Sequence, residues 1–165
     1  MRVAFIILGL VVAQRLVELV IAQRNTKRLL AEGAHEVAPE HYPLIVLTHM
    51  AWLAALFAWV LVYQSAVDVV WLSVYIVLQI ARLWVMLSLG RYWTTRIIAV
   101  PSTPLIKHGP YKYLRHPNYV VVAMEIVVLP LVIGAWPIAA FFTALNAIVL
   151  WIRINAENEA LHERS

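Results

Sequence analysis

Residues 119–154 read YVVVAMEIVVLPLVIGAWPIAAFFTALNAIVLWIRI, an apolar run whose strongly polar side chains are Glu125, Asn146 and Arg153. Drawn out as one helix it would reach about 54 Å, far beyond the roughly 30 Å of a bilayer hydrocarbon core. Pro130, Gly134 and Pro137 fall in its middle. They divide it into two helices turning near residues 133–137, because proline and glycine interrupt helices and favour reversals.

Three further stretches have the length and apolarity of a span, residues 3–22, 42–63 and 69–89. The expectation is therefore an all-α integral membrane protein with five transmembrane helices, the last two forming a hairpin. Composition agrees, with 63% hydrophobic and 13% charged residues and a mean hydropathy of +0.79. A soluble domain carries about 25% charged residues. Residues 1–165 read as one domain, with the first three helices in 1–92 and a polar loop, the hairpin and the C-terminal helix end in 93–165. The first apolar run continues through Arg15 and Glu18, without a small-residue cleavage site before Arg24, so it reads as a retained helix rather than a signal peptide.

The positions of Lys and Arg give an orientation. Arg24, Lys27 and Arg28 follow the first span; Arg91, Arg96, Lys107, Lys112 and Arg115 follow the third; Arg153 and Arg164 lie at the C-terminal end. The alternate connections, 64–68 and the hairpin turn, have none. Flanking cations mark the cytoplasmic side, which places the N-terminus outside and the C-terminus and polar loop in the cytoplasm. The net charge of +4 is thus read as an orientation signal rather than a nucleic-acid footprint.

Other chemistries find no support. There is no cysteine, which removes disulfides and thiolate ligands. The six histidines lack the four-residue helical spacing of a zinc motif, so no metal is expected. No glycine-rich phosphate or dinucleotide loop is present, so no Rossmann-type site is expected. Arg15, Glu18, Arg82 and Glu125 fall inside spans, where ionisable groups are costly. Arg15 and Glu18, three apart, can pair with each other. Gln79 and Arg82 share a helix face and can bond across helices. Glu125 lies about two turns into its helix and is a candidate for facing a polar cavity.

The loop carries the most specific pattern. Residues 101–119 read PSTPLIKHGPYKYLRHPNY, with prolines and Gly109 forcing turns and Arg115, His116, Asn118 and Tyr119 placing hydrogen-bonding groups at the mouth of the fourth helix. The last helix ends with Arg153-Ile-Asn-Ala-Glu157, two charges four apart on one face. A basic loop binding lipid headgroups would not require this order of residues.

Gly109-Pro-Tyr111, Arg115-His-Pro-Asn-Tyr119, a helical hairpin and Arg153-Ile-Asn-Ala-Glu157, in that order and without gaps, resemble the isoprenylcysteine carboxyl methyltransferase family over about residues 93–161. Arg15-Leu-Val-Glu18, Arg24-Asn25, Gly33-Ala-His-Glu36 and His41-Tyr-Pro43 look like a short prokaryotic branch of it, whose members can methylate lipid-like polyketides. Val120 and Val121 stand where a glycine often follows the tyrosine, and Glu157-Asn158 where the family has two glutamates. The resemblance implies an S-adenosylmethionine-dependent O-methyltransferase that releases S-adenosylhomocysteine. Its cofactor contacts would be Thr103, Pro104, Leu105, Ile106, Tyr111, His116, Pro117, Asn118, Tyr119 and Glu157. Arg153 would be the catalytic residue facing the substrate, with Glu125 a second substrate contact. The acceptor would be the carboxylate or acidic hydroxyl of a lipophilic molecule arriving from the membrane. The competing reading is an NADPH-dependent reductase of the sterol-reductase type, which shares a related C-terminal arrangement.

Overall fold

A computed structural model describes residues 2–101 and 106–162, with side chains up to residue 157 at the C-terminal end. The helices are α1 (Arg2–Ala31), α2 (Tyr42–Tyr63), α3 (Val69–Leu89), α4 (Pro117–Val132) and α5 (Trp136–His162). α2 and α3 have the expected bounds. α1 runs nine residues further than the span ending at Ala22, because no glycine or proline interrupts residues 10–32 and the added turns are polar, suited to water. Among the described residues, four helices, α1, α2, α3 and α5, are long and apolar enough to cross a membrane, and α4 is a shorter apolar helix.

At 16 residues, α4 is about 24 Å long and would fall short of a full hydrocarbon core. Its neighbours compensate. α4 packs against both α3 and α5, and Val121, Glu125, Ile126, Val128, Leu129 and Val132 are all buried. Much of its surface therefore faces protein. The reversal into α5 uses Gly134 at φ 68°, a left-handed conformation that glycine adopts without a Cβ penalty. Ala135 N–H closes the turn on the Pro130 carbonyl at 2.8 Å.

Along the bundle axis the interior is layered. At the end holding the α4–α5 turn, Leu8 and Val11 of α1, Trp52, Leu56 and Val60 of α2, Ile126, Leu129 and Val132 of α4 and Phe142 of α5 form an apolar core. Asp68 caps α3 there, accepting from Val70 N–H and Trp71 N–H. Its own N–H donates to Val132 O at 2.8 Å, tying α3 to the end of α4.

The middle layer is ionic. Arg82 donates to Glu18 from Nε at 2.7 Å and Nη2 at 2.6 Å, and to Glu125 Oε2 at 3.0 Å. Arg15 bridges the same carboxylates at 2.9 and 2.8 Å. Gln79 donates to Glu125 Oε1 at 2.9 Å, and Gln14 to Glu18 Oε1 and Gln79 Oε1, each at 2.8 Å. The Arg15–Glu18 pair and the Gln79–Arg82 face thus behave as their spacing predicts. Two cations meet two anions, so the layer is neutral.

The third layer lies at the opposite, polar end and includes strand structure that an all-α reading does not anticipate. β1 (His35–Glu36) pairs antiparallel with β2 (Ile98–Ala99), and Val37 N–H donates to Ile97 O at 2.9 Å. Arg96 grips Glu36 with one nitrogen at 2.7 and 2.9 Å and lies over the Tyr42 ring at 4.2 Å. Arg91 pairs with Glu32, and Asn25 donates to Gly90 O and Trp93 O. The segment after α1 is thereby stitched to the segment after α3. The 3-10 turn Gly109–Lys112 docks on the end of α3: a Cβ on Gly109 would stand 2.3 Å from Ser88 Oγ and 3.1 Å from Ser88 Cβ, and its φ is +58°.

Two outcomes follow for stability. Arg82→Leu leaves two buried carboxylates sharing Arg15 alone, one negative charge in excess, and should cost about 3–5 kcal/mol in reversible unfolding from detergent, whereas Arg82→Leu with Glu125→Leu, which keeps the layer neutral, should cost markedly less than the sum of the single changes. Gly109→Ala should destabilise by about 1–3 kcal/mol through backbone strain and the clash with Ser88, and Ser88→Ala in the same chain should recover part of that loss.

Candidate functional site

Local sequence fixes the geometry of the polar end. Pro117 sits in the first turn of α4, where its missing N–H and fixed φ are compatible with a helix start. His116, Asn118 and Tyr119 therefore surround one helix mouth. On α5 the buried positions Phe142, Asn146, Val149, Arg153 and Ala156 recur every three or four residues, so they form one inward stripe. Arg153 is its last charged member, and Glu157 follows one turn later. The α4–α5 hairpin brings the two ends side by side.

A hydrogen-bond chain joins them. Arg153 Nε donates to the Tyr119 hydroxyl at 2.8 Å, and that hydroxyl donates to Glu157 Oε2. His116 Nδ1 lies 3.6 Å from Glu157 Oε1. The His116 ring stacks on Tyr119 with centroids 5.4 Å apart and an interplanar angle of 19°. The Arg153 guanidinium carbon lies 5.5 Å from the centroid of the same Tyr119 ring, a cation–π arrangement. Tyr119 is thus held from three directions. Arg153 also donates from Nη2 to Thr95 O at 2.7 Å, which anchors α5 to the strap between α3 and β2.

Tyr111 stands on the docked 3-10 turn. Burial, and then the neighbouring Glu157 carboxylate, push its phenol above the ordinary value, so it stays a neutral O–H in reach of that carboxylate's field. Asn118 Oδ1 is buried with no hydrogen-bond partner among the described residues. A buried polar atom left this way marks a place where a ligand group can bond. Arg153, Tyr119, Glu157 and His116 are thus gathered directly, Tyr111 lies within the field of Glu157, and Pro117 and Asn118 belong to the same helix mouth.

The remaining expected residues fall elsewhere. Ile106 is partly buried in the segment leading to the 3-10 turn, while Thr103, Pro104 and Leu105 lie outside the described residues. Glu125 is 2% exposed, and both its oxygens are engaged by Arg15, Arg82 and Gln79 in the ionic layer. It stands two turns deeper than Tyr119 on α4. Among the described residues, no three His, Asp or Glu side chains converge on a point that could hold a metal ion.

Sequence reasoning gave no site role to Thr95 and Arg96 of the strap, nor to Glu36, His41 and Tyr42 in the motifs after α1. Glu36, His41, Tyr42 and Arg96 line a recess together with Arg153, and Thr95 offers the carbonyl that holds Arg153. The β-branched run Ile97-Ile98 and the charge-complementary Arg96 and Glu36 were the available signals. Neither is distinctive without knowing that the strap pairs with the segment after α1.

Comparison with known proteins gives the geometry its context. The uncharacterized protein YpbQ of Bacillus subtilis is 38% identical over 164 residues, covering 98% of both chains. An uncharacterized protein of Haemophilus influenzae is 26% identical over 156 residues, covering 92% of this chain and 90% of its own. Residues 71–163, which include the docked turn, both ends of the hairpin and the Arg153–Glu157 pair, match the isoprenylcysteine carboxyl methyltransferase (ICMT) family. This chain is therefore an integral membrane protein that belongs to the isoprenylcysteine carboxyl methyltransferase family.

Proposed function

We propose that the chain is an S-adenosylmethionine-dependent O-methyltransferase acting on the carboxylate or acidic hydroxyl of a lipophilic acceptor. The observation that carries this reading is the chain from Arg153 through the Tyr119 hydroxyl to Glu157, flanked by His116 and Tyr111. It sets an anionic, aromatic-lined face beside a cationic one, across a single hydroxyl.

The anionic face fits the methyl donor. Glu157 can accept from the donor's ammonium group, the buried Asn118 Oδ1, without a partner among the described residues, can accept from its amino-acid end, and Tyr111 and Tyr119 offer aromatic surface to a sulfonium or adenosine. Ile106 joins this wall in the proposal. Bound there, S-adenosylmethionine supplies an electrophilic methyl group. The protein's work is then to align an acceptor oxygen in line with that group and to keep water out.

Arg153 serves the acceptor. Its guanidinium can orient a carboxylate by charge-assisted hydrogen bonds or stabilise the anion of an acidic hydroxyl. Tyr119 holds the guanidinium from its Nε edge and Thr95 O from Nη2, so the group is positioned before the acceptor arrives. With the N-terminus outside and the C-terminus cytoplasmic, the donor enters from the cytoplasm while the lipid tail of the acceptor stays in the bilayer. Glu125 serves, in this proposal, beneath the acceptor site as part of the layer on which it rests. The family match favours methyl transfer, and no observation favours the reductase alternative.

Calorimetric titration of the purified protein with S-adenosylhomocysteine tests the donor face. Glu157→Gln should weaken binding by about 10- to 100-fold, the worth of one hydrogen bond to a charged group, and Tyr119→Phe should weaken it less. Arg153→Gln should leave that affinity within a few-fold of wild type while abolishing methylation. Undiminished binding by Glu157→Gln would overturn the assignment.

A further inference from the structure

The turn that carries Tyr111 has an outer side as well as an inner one. Pro110 is buried and Tyr111 partly buried, whereas Lys107, His108, Lys112, Tyr113, Leu114 and Arg115 are exposed. The backbone fixes this division. Tyr113 N–H and Leu114 N–H both donate to Pro110 O, at 3.1 and 3.0 Å, and Tyr111 N–H donates to His108 O at 3.2 Å. Turning Tyr113 and Leu114 inward would break those bonds, so a phenol 74% exposed and a leucine 47% exposed stand side by side on the outside.

The place where the turn docks decides what they meet. Ile76, Val77, Ile80, Leu83, Trp84 and Leu87 of α3 are exposed and fall on one face of the helix, an apolar stripe that faces hydrocarbon. Gly109 rests at the polar end of that stripe, where an added Cβ would stand 3.4 Å from Trp84 Nε1. On the neighbouring α4, Val120 and Met124 are exposed one turn apart. The outer side of the turn therefore continues the lipid-facing flank of α3 and α4 at the level of the headgroups.

Its charge is one-sided. Residues 106–119 contain Lys107, Lys112 and Arg115 and no Asp or Glu. Elsewhere at this end, Arg28 and Arg91 pair with Glu32, and Arg96 with Glu36. The three cations of the turn have no carboxylate at ion-pair distance among the described residues. Lys112 Nζ lies 5.8 Å from the Tyr113 ring centroid instead, which sets one of them directly beside the exposed aromatic surface.

We propose that the outer side of this turn is a binding site for the headgroups of anionic phospholipid. Lys107, Lys112 and Arg115 meet the phosphates, Tyr113 and Leu114 enter the interfacial layer, and Trp84 anchors the surface beneath them. Tyrosine suits that layer, since its ring is apolar and its hydroxyl stays wet. Cations next to an anionic surface gain roughly fivefold in binding each, which sets an anionic headgroup above a zwitterionic one. An acidic protein could meet the charges but would compete with the bilayer for the apolar side chains. Lipid held on the outer side steadies Tyr111 on the inner side, a consequence that rests on the donor reading above, whereas the lipid site itself does not.

Hydrogen exchange on the full-length protein in nanodiscs reads the site locally, because the amides of Tyr111, Tyr113 and Leu114 close the turn. Changing the bilayer from phosphatidylcholine to an equal mixture with phosphatidylglycerol should slow exchange over residues 109–115 by about fivefold or more. Lys107→Gln with Lys112→Gln and Arg115→Gln should abolish that protection. Arg24→Gln with Lys27→Gln and Arg28→Gln, which removes as much charge from the end of α1, should keep it. No protection in wild type, or equal loss in both variants, overturns the proposal, as does equal protection by soluble glycerol phosphate over phosphatidylcholine. Should the turn variant fail to fold, wild type at about 1 M salt decides, where charges are screened beyond about 3 Å: loss of the protection supports recognition of headgroup charge, and its persistence overturns it. Protection by phosphatidylglycerol in a protein that binds no S-adenosylhomocysteine in either bilayer leaves the lipid site standing and sinks the donor site.

Discussion

Two arginines and two glutamates buried in one layer set the conditions for everything above them. An ionised side chain in the low-dielectric interior of a membrane bundle is tolerable only if opposite charge and hydrogen bonds surround it. Here the carboxylates come from α1 and α4 and the guanidiniums from α1 and α3. No single helix can satisfy the set. The helices must therefore meet at one depth and in one rotation, because a shift by one turn would leave a charge unpaired. Apolar packing alone does not impose such a register, since Leu, Val and Ile contacts can slide at modest cost.

The chemistry at the polar end uses that fixed register. Tyr119 and Glu125 lie on the same helix, so holding Glu125 fixes the height at which the Tyr119 hydroxyl meets Arg153. The docked turn carrying Tyr111 rests on the end of α3, the helix that also carries Arg82. The strap completes the arrangement from below α1, through Asn25 and the β1–β2 pairing. The walls carried by α4 and by the turn docked on α3 are thus tied to helices that the ionic layer has already positioned. Rigid support of this kind is what lets a short hydrogen-bond chain hold its geometry without a surrounding soluble domain.

The bundle was legible because its signals are periodic and local. Apolar length located α2 and α3, Pro130, Gly134 and Pro137 located the hairpin turn, and spacing alone paired Arg15 with Glu18. The extent of α1 was less legible, since hydropathy reports where a helix leaves the membrane and not where it ends. Of the site, Tyr119, His116 and Glu157 could be named from the motif order, because the hairpin returns the chain to its starting level. What could not be read was which partner Glu125 would take, or that Arg96, Glu36 and His41 would gather around Arg153. The Arg96–Glu36 contact alone joins segments 60 residues apart, and two-residue strands carry almost no pattern of their own.

The order of synthesis gives the hairpin a consequence of another kind. Arg153 and Glu157, which the proposal sets on the two faces of the site, are both on α5, which emerges after α1, α3 and α4, and among the described residues the ionic layer draws on those three earlier helices. A nascent chain can therefore settle its charged interior before Arg153 and Glu157 arrive. In this proposal the site is closed by a single late event, the return of α5.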